Sequence, residues 1–286
     1  MPTLQEDKLA EYGFALAFLQ AEPELYSLFK KAVAGNWTAG KFQAELKSTG
    51  WYKKNGDSAR QWELLSKSDP ATAAQRKAQV LAQIQDAGAQ MGSQVTGSIL
   101  NTIATNALKF NWNDNQIRNV LSGYVRAKNG VYGGSAAVDA DALRQSAWRN
   151  GVNLSSTVVD WWVRHIASGA GTKEEFAQKM RKYGASVAPA YAQELAAGQD
   201  LYDIAQPYMQ SAAKILEKNP ASIDLFDSRI RNALSTKGAD GKPTSMSLWE
   251  FEQSLRKDPE WQKTQNAQDS MMATGRKVLQ DFGFRY

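Results

Sequence analysis

Apolar positions along this chain recur in one phrase: a helix-capping residue, three mostly polar positions, an apolar residue, and another apolar residue four further on. The clearest pair runs Ala32-Val33-Ala34-Gly35-Asn36-Trp37-Thr38 to Phe42 and Leu46, and Ala107-Leu108-Lys109-Phe110-Asn111-Trp112-Asn113 to Ile117 and Leu121. The same spacing returns at Thr172/Phe176/Met180, Asp200/Ile204/Tyr208 and Ser247/Phe251/Leu255. A cap with apolar residues four and eight positions on describes the first two turns of a helix with one face buried. The phrase therefore specifies how helices start and dock, and no chemistry.

Between these points the pattern predicts helix after helix. Leu4 to Gln20 carries a stripe at Leu9, Tyr12, Leu16 and Leu19. Pro23 opens a second helix that stops at Gly35, with proline in the first turn and glycine at the end. Asp69-Pro70 starts the longest regular stretch, with Val80, Ile84, Ala87 and Met91 on one face. Further helices are expected over 96–109, 113–127, 138–150, 155–167, 172–183, 189–197 and 200–218, then from Ser247 and from Asp258-Pro259 to Phe282. Thr172 with Glu175, Ser247 with Glu250 and Asn113 with Gln116 have capping-box spacing. No stretch alternates with period two, so the expected fold is all-α: many short capped helices in an irregular array, with repeated helix-turn-helix units. Lys128 to Ala136, rich in glycine, divides the expected domains at 1–127 and 137–286. Ser235 to Pro243 reads as a hairpin or loop.

Composition narrows the function classes. Net charge is 34 − 29 = +5, too small and too spread along the chain for a specific nucleic-acid ligand to be expected. There is no cysteine, so disulfides, thiolate metal sites and cysteine nucleophiles are excluded. The first eight residues carry no signal-peptide pattern. Residues 87–108 hold no charge over about the length of a spanning helix, but nine Gln, Ser, Thr and Asn residues, with Gly92 and Gly97 in the middle, interrupt them. A helix–turn–helix is expected there.

The one histidine, His165, has no second histidine or cysteine to share a zinc ion, and no Gly-x-Ser-x-Gly elbow accompanies it. Phosphate-binding glycine motifs are absent, and Asp224/Asp227 and Asp139/Asp141 lack the calcium-loop pattern. No cofactor, metal or catalytic residue is assigned. Two carboxylates brought together by the fold would leave no local signature, so glycoside hydrolysis stays open. Glu11, Glu194, Glu250 and Glu252 are the acids nearest aromatic residues. Nine tryptophans read mainly as packing residues, with a carbohydrate platform or partner interface as the competing role. Trp161 and Trp162 point about 100° apart on a helix, so one is expected outside. With Trp249 and Trp261 they form the candidate interface set.

Several phrases resemble helical virion proteins of actinobacterial tailed bacteriophages, of the minor tail or internal virion kind. They are Leu46-Lys47-Ser48-Thr49-Gly50-Trp51-Tyr52, Arg60-Gln61-Trp62, Asp69-Pro70-Ala71, Thr244-Ser245-Met246-Ser247-Leu248-Trp249-Glu250-Phe251, and Leu255-Arg256-Lys257-Asp258-Pro259-Glu260-Trp261 with Thr264. The two ends also look alike, Phe42/Leu46/Trp51 paralleling Phe251/Leu255/Trp261. The resemblance implies a non-enzymatic structural or DNA-ejection component, assembled in the bacterial cytoplasm and located in the virion. Its implied partners are several copies set against portal, tail or capsid proteins. The alternative is a peptidoglycan-binding or peptidoglycan-hydrolysing module of the particle, with cell-wall contact. A subsidiary expectation is that residues 87–108 face a membrane or pore during ejection.

Overall fold

A computed structural model describes Lys8, Tyr12 and residues 16–283. Leu4 and Leu9 of the first expected stripe, and Glu11, lie outside the described residues. The structure is 72% helical, and the described residues form sixteen α-helices and one pair of two-residue strands, so the fold is all-α. The chain packs as two compact units, residues 1–137 with 167–170, and 138–166 with 171–286.

The first unit begins with α1 (Leu16–Ala21), α2 (Pro23–Ala34), α3 (Ala39–Ser48) and α4 (Gly50–Lys54). Their shared core is Tyr12, Phe18, Leu19, Leu25, Phe29, Phe42, Leu46 and Trp51. The turn into α3 is set by Asn36 in the left-handed region (φ 46°), which lets the Trp37 N–H donate to the Ala32 carbonyl at 2.9 Å. Thr38 then caps the helix from the Lys41 N–H, and Phe42 and Leu46 turn inward. Ahead of α8 (Asp114–Ser122) the turn has the same form. There Asn111 has φ 48°, the Trp112 N–H donates to the Ala107 carbonyl at 2.9 Å, and Asn113 and Gln116 close a capping box. Between them α5 (Asp57–Ser68), α6 (Pro70–Met91) and α7 (Gly97–Phe110) pack on one another, with Ile84, Leu100, Ile103, Ala104 and Leu121 at the centre. The uncharged stretch 87–108 is thus the end of α6, a turn and most of α7. No described helix is long and apolar enough to cross a membrane.

Residues 128–136, where composition places a linker, form a packed turn. Lys128 and Val131 exchange backbone hydrogen bonds, Tyr132 is buried, and Gly133 and Gly134 lie against Gly92. The helix α9 (Gly134–Arg149) starts inside this segment and continues across residue 137.

The second unit continues with α10 (Ser156–Ala167), α11 (Lys173–Val187), α12 (Ala192–Ala196) and α13 (Leu201–Ile215). After them come α14 (Ser228–Leu234), the antiparallel pair β1 (Thr236–Lys237) and β2 (Pro243–Thr244), α15 (Leu248–Leu255) and α16 (Gln265–Asp281). Its core forms around α13, from Leu201, Ala205, Tyr208 and Met209, with Ile230, Ala233, Phe251 and Leu255. The expected capping boxes at Thr172 and Ser247 are present. Two expectations fail here. Asp200 does not cap α13; its carboxylate binds Arg149, Arg181 and Asn150, and the buried line runs Leu201/Ala205/Tyr208 while Ile204 is only half-buried. The last helix does not start at Asp258-Pro259. That segment is a turn followed by a short 3-10 helix at Trp261–Lys263, and Thr264 caps α16.

The likeness of the two ends has a structural counterpart in each unit. The Tyr12 hydroxyl donates to the Trp37 carbonyl at 2.7 Å, and the Tyr208 hydroxyl to the Met246 carbonyl at 2.6 Å, each just ahead of the cap residue. The tyrosine rings meet Phe42 and Phe251. A distant carboxylate then takes two N–H groups at the start of a following helix: Glu24 at Gly50 and Trp51, Glu217 at Gln265 and Asn266. These are helix-terminal donors that would otherwise go unpaired. The two N–H groups hold the Glu24 carboxyl below its ordinary range. The likeness stops at the tryptophans: Trp51 is buried and donates to Glu63, whereas Trp261 is half-buried in the 3-10 turn.

Candidate interaction surfaces

The α10 helix faces its unit with Val159, Trp162 and Val163. Trp161 lies one step round the helix and is 51% exposed, against 7% for Trp162. Its indole nevertheless packs against two rings. Trp162 meets it edge-on at 5.1 Å, and the His165 imidazole stacks on it at 4.6 Å with 21° between planes. Trp162 in turn meets Phe176 at 5.1 Å, and Lys179 Nζ lies 4.7 Å from its ring centre. The Gly171 N–H donates to the His165 carbonyl at 3.2 Å, and the Thr172 capping box starts the helix that delivers Phe176. His165 is thus an aromatic support, with Val158 also exposed one turn away.

Gly171 is part of that support. A Cβ there would strike the imidazole, 2.8 Å from Nε2 and closer still to Cδ2. Gly171→Ala is expected to cost about 1–3 kcal/mol by overpacking, and to shift tryptophan emission as His165 leaves Trp161. Thermal unfolding and fluorescence check this; unchanged values in both would mean the ring has room to move.

Of the other candidates, Trp249 is 68% exposed in the first turn of α15, beside Leu248. The next residue, Glu250, lines a groove with Thr236, Lys237, Thr244 and Ser245. Trp261 packs against the α13 core. Among the described residues the four tryptophans do not gather: Trp161 and Trp162 pair, and Trp249 and Trp261 stand apart from them in the chain's packing. Sequence reading missed the face of α16. Beyond Ala267 only Leu279 of the described helix is even half-buried, leaving Met271, Met272, Val278 and Phe282 exposed. The 4-3-4 spacing of Met271, Gly275, Val278 and Phe282 carried that signal.

The acids nearest aromatics have other work. Glu250 accepts the Ser247 N–H and hydroxyl, each at 2.8 Å, and these hold its carboxyl below the usual range. Glu252 accepts the Ser211 hydroxyl at 2.8 Å. Glu194 is exposed on α12. Every described carboxylate with a displaced ionisation is displaced downward: Glu24, Asp69, Asp200, Asp227, Glu250 and Glu260. A general acid for glycoside cleavage needs the opposite shift. Among the described residues no three His, Cys, Asp or Glu side chains group as metal ligands. No family model matches this chain, and no curated protein or solved structure is significantly similar to it.

Proposed function

We propose that this protein is a non-enzymatic structural or DNA-ejection component of a tailed-bacteriophage virion. It acts by docking on portal, tail or capsid proteins. The observation that carries the reading is the Trp161 platform: a half-exposed indole packed between His165 and Trp162. Large aromatic side chains fixed before binding lose little entropy on contact and dominate interface energetics. The exposed Leu248–Trp249 pair and the open face of α16 support the same reading. Mass spectrometry of purified particles, before and after DNA ejection, tests it. Stoichiometric presence is expected in full particles, and loss on ejection would mark a delivered protein. Absence from particles would overturn it.

The second reading is a peptidoglycan-binding module, favoured by the exposed Trp249 and by the groove of hydroxyl and charged side chains that its sequence neighbour Glu250 lines. Retention on purified sacculi that Trp249→Ala abolishes would support it. The downward-held Glu250 carboxyl speaks for binding over hydrolysis in that groove.

A further inference from the structure

Against the expectation drawn from its total, the net charge of the chain is concentrated in one segment. Residues 30–54 hold six lysines (Lys30, Lys31, Lys41, Lys47, Lys53, Lys54) and one acid, Glu45, giving 6 − 1 = +5. The rest of the chain has 34 − 6 = 28 basic and 29 − 1 = 28 acidic residues, a balance of zero. With Glu24 at the start of α2 counted as well, the helices α2, α3 and α4 carry 6 − 2 = +4, most of the excess.

All six lysines are exposed, and among the described residues none of them is in an ion pair. The second unit behaves differently: Arg149, Arg181, Arg229 and Lys218 are each paired with carboxylates. One acid, Glu24, lies beside Lys53 and Lys54; its carboxylate accepts the N–H groups of Gly50 and Trp51 and offsets one of the six charges. The helices α2, α3 and α4 pack on one another around Phe29, Phe42 and Trp51, and α2, with twelve residues, is about 18 Å long, so the six lysines belong to one small three-helix cluster. Like charges held this close repel one another until an anion screens them.

The surface also lacks an apolar anchor. Among the described residues between 22 and 68 there is no exposed large apolar side chain. Insertion into an anionic membrane and a hot spot for an acidic protein both require one. Its aromatics are not free to stack bases either. Tyr26 lies under Lys30 at 4.9 Å and Trp37 under Lys41 at 4.5 Å. What remains is charge alone, which suits the phosphate backbone of a duplex. We infer that the α2–α3–α4 surface is a sequence-independent contact for the DNA backbone.

This inference rests on charge placement, not on the virion reading, and its test needs only the purified full chain. Fluorescence anisotropy with two unrelated duplexes of about 25 base pairs is expected to give equal affinities. Four to six phosphate contacts predict a loss of about 10²- to 10³-fold between 50 and 200 mM salt. Lys30→Gln/Lys31→Gln and Lys53→Gln/Lys54→Gln should each weaken binding and lower the salt slope by about one per contact removed. The control Lys237→Gln/Lys257→Gln removes the same charge from the second unit and should leave both unchanged. Circular dichroism melts verify that each variant folds. No duplex binding at 50 mM salt would overturn the inference, as would equal loss from the control pair, or binding to anionic phospholipid vesicles without binding to DNA.

Discussion

Gly92→Ala is expected to destabilise the first unit by about 2–5 kcal/mol, a large share of the 5–15 kcal/mol typical of a domain. Gly92 closes α6 in the left-handed region, at φ 78°. A side chain in that conformation costs about 1–2 kcal/mol by itself. Here the added methyl would also run into the Gly133 carbonyl, whose carbon is 2.7 Å from the built Cβ. Backbone cannot step aside as a flexible side chain can, so an overpacking cost of about 1–3 kcal/mol adds to the first. The neighbouring contacts share the disturbance. Ser93 bridges to Val125, the Gln94 N–H donates to the Tyr124 carbonyl at 2.9 Å, and the Ser93 hydroxyl donates to the Leu121 carbonyl at 3.1 Å. Gly130→Ala isolates the first cost, since Gly130 has φ 81° but open space around it. Calorimetry and hydrogen exchange over residues 84–125 should show a large loss for Gly92→Ala and about 1–2 kcal/mol for Gly130→Ala. Equal losses would mean the close packing of the three glycines contributes nothing.

That contact also marks the limit of what the sequence makes legible. The glycine-rich run 128–136 reads as a linker because local composition reports only conformational freedom. Whether that freedom serves a hinge or a close approach depends on Gly92, some forty positions away. Helix starts were far more legible. A cap such as Thr172 or Ser247 and its partner three residues on act within a single turn, so both boxes were visible in the sequence. Asp200 has the same local spacing, yet a distant Arg149 and Arg181 compete for its carboxylate and the cap is lost. Asp258-Pro259 likewise has a start signal, but Thr264 and the remote Glu217 together satisfy the donors of α16. For the candidate surfaces, adjacency of Trp161 and Trp162 did predict that one would face out. The support from His165 and Gly171 needed the turn that brings residue 171 back to 165. The charge excess of residues 30–54 is countable in the sequence, while the lack of ion pairs at its six lysines, among the described residues, belongs to the fold.

Asn150→Ala is expected to cost about 2–4 kcal/mol, and Asp200→Asn to flatten the acid side of the stability curve. Asn150 is fully buried. Its amide nitrogen donates to the Ser146 carbonyl at 2.9 Å and to Asp200 Oδ1 at 3.0 Å, and its oxygen accepts the Leu201 N–H at 3.2 Å. Truncation strands these groups away from water and leaves a void, and stranded polar groups cost about 1–3 kcal/mol. Asp200 links the same point to Arg149 at 2.7 Å and Arg181 at 3.4 Å, and Arg149 also binds Asp203. Burial alone would raise the Asp200 carboxyl, but hydrogen bonds from Arg149 and Asn150 outweigh it and hold the group low. A carboxylate held low in the folded state takes up its proton less readily there than in the unfolded chain. Its stabilisation is therefore complete above the ordinary carboxylate range and drains as pH falls through the folded value. The end of α9, the middle of α11 and the start of α13 should then loosen together in acid. Urea unfolding at neutral pH and at pH 3 separates this from the other carboxylates, which titrate equally in both proteins. Asp200→Asn should be weaker than the native chain at neutral pH, and the gap should narrow at pH 3 as Asp200 itself becomes protonated. A gap of constant size would place the acid sensitivity elsewhere, at Asp227 and Glu260 around Arg229, where the same chemistry recurs.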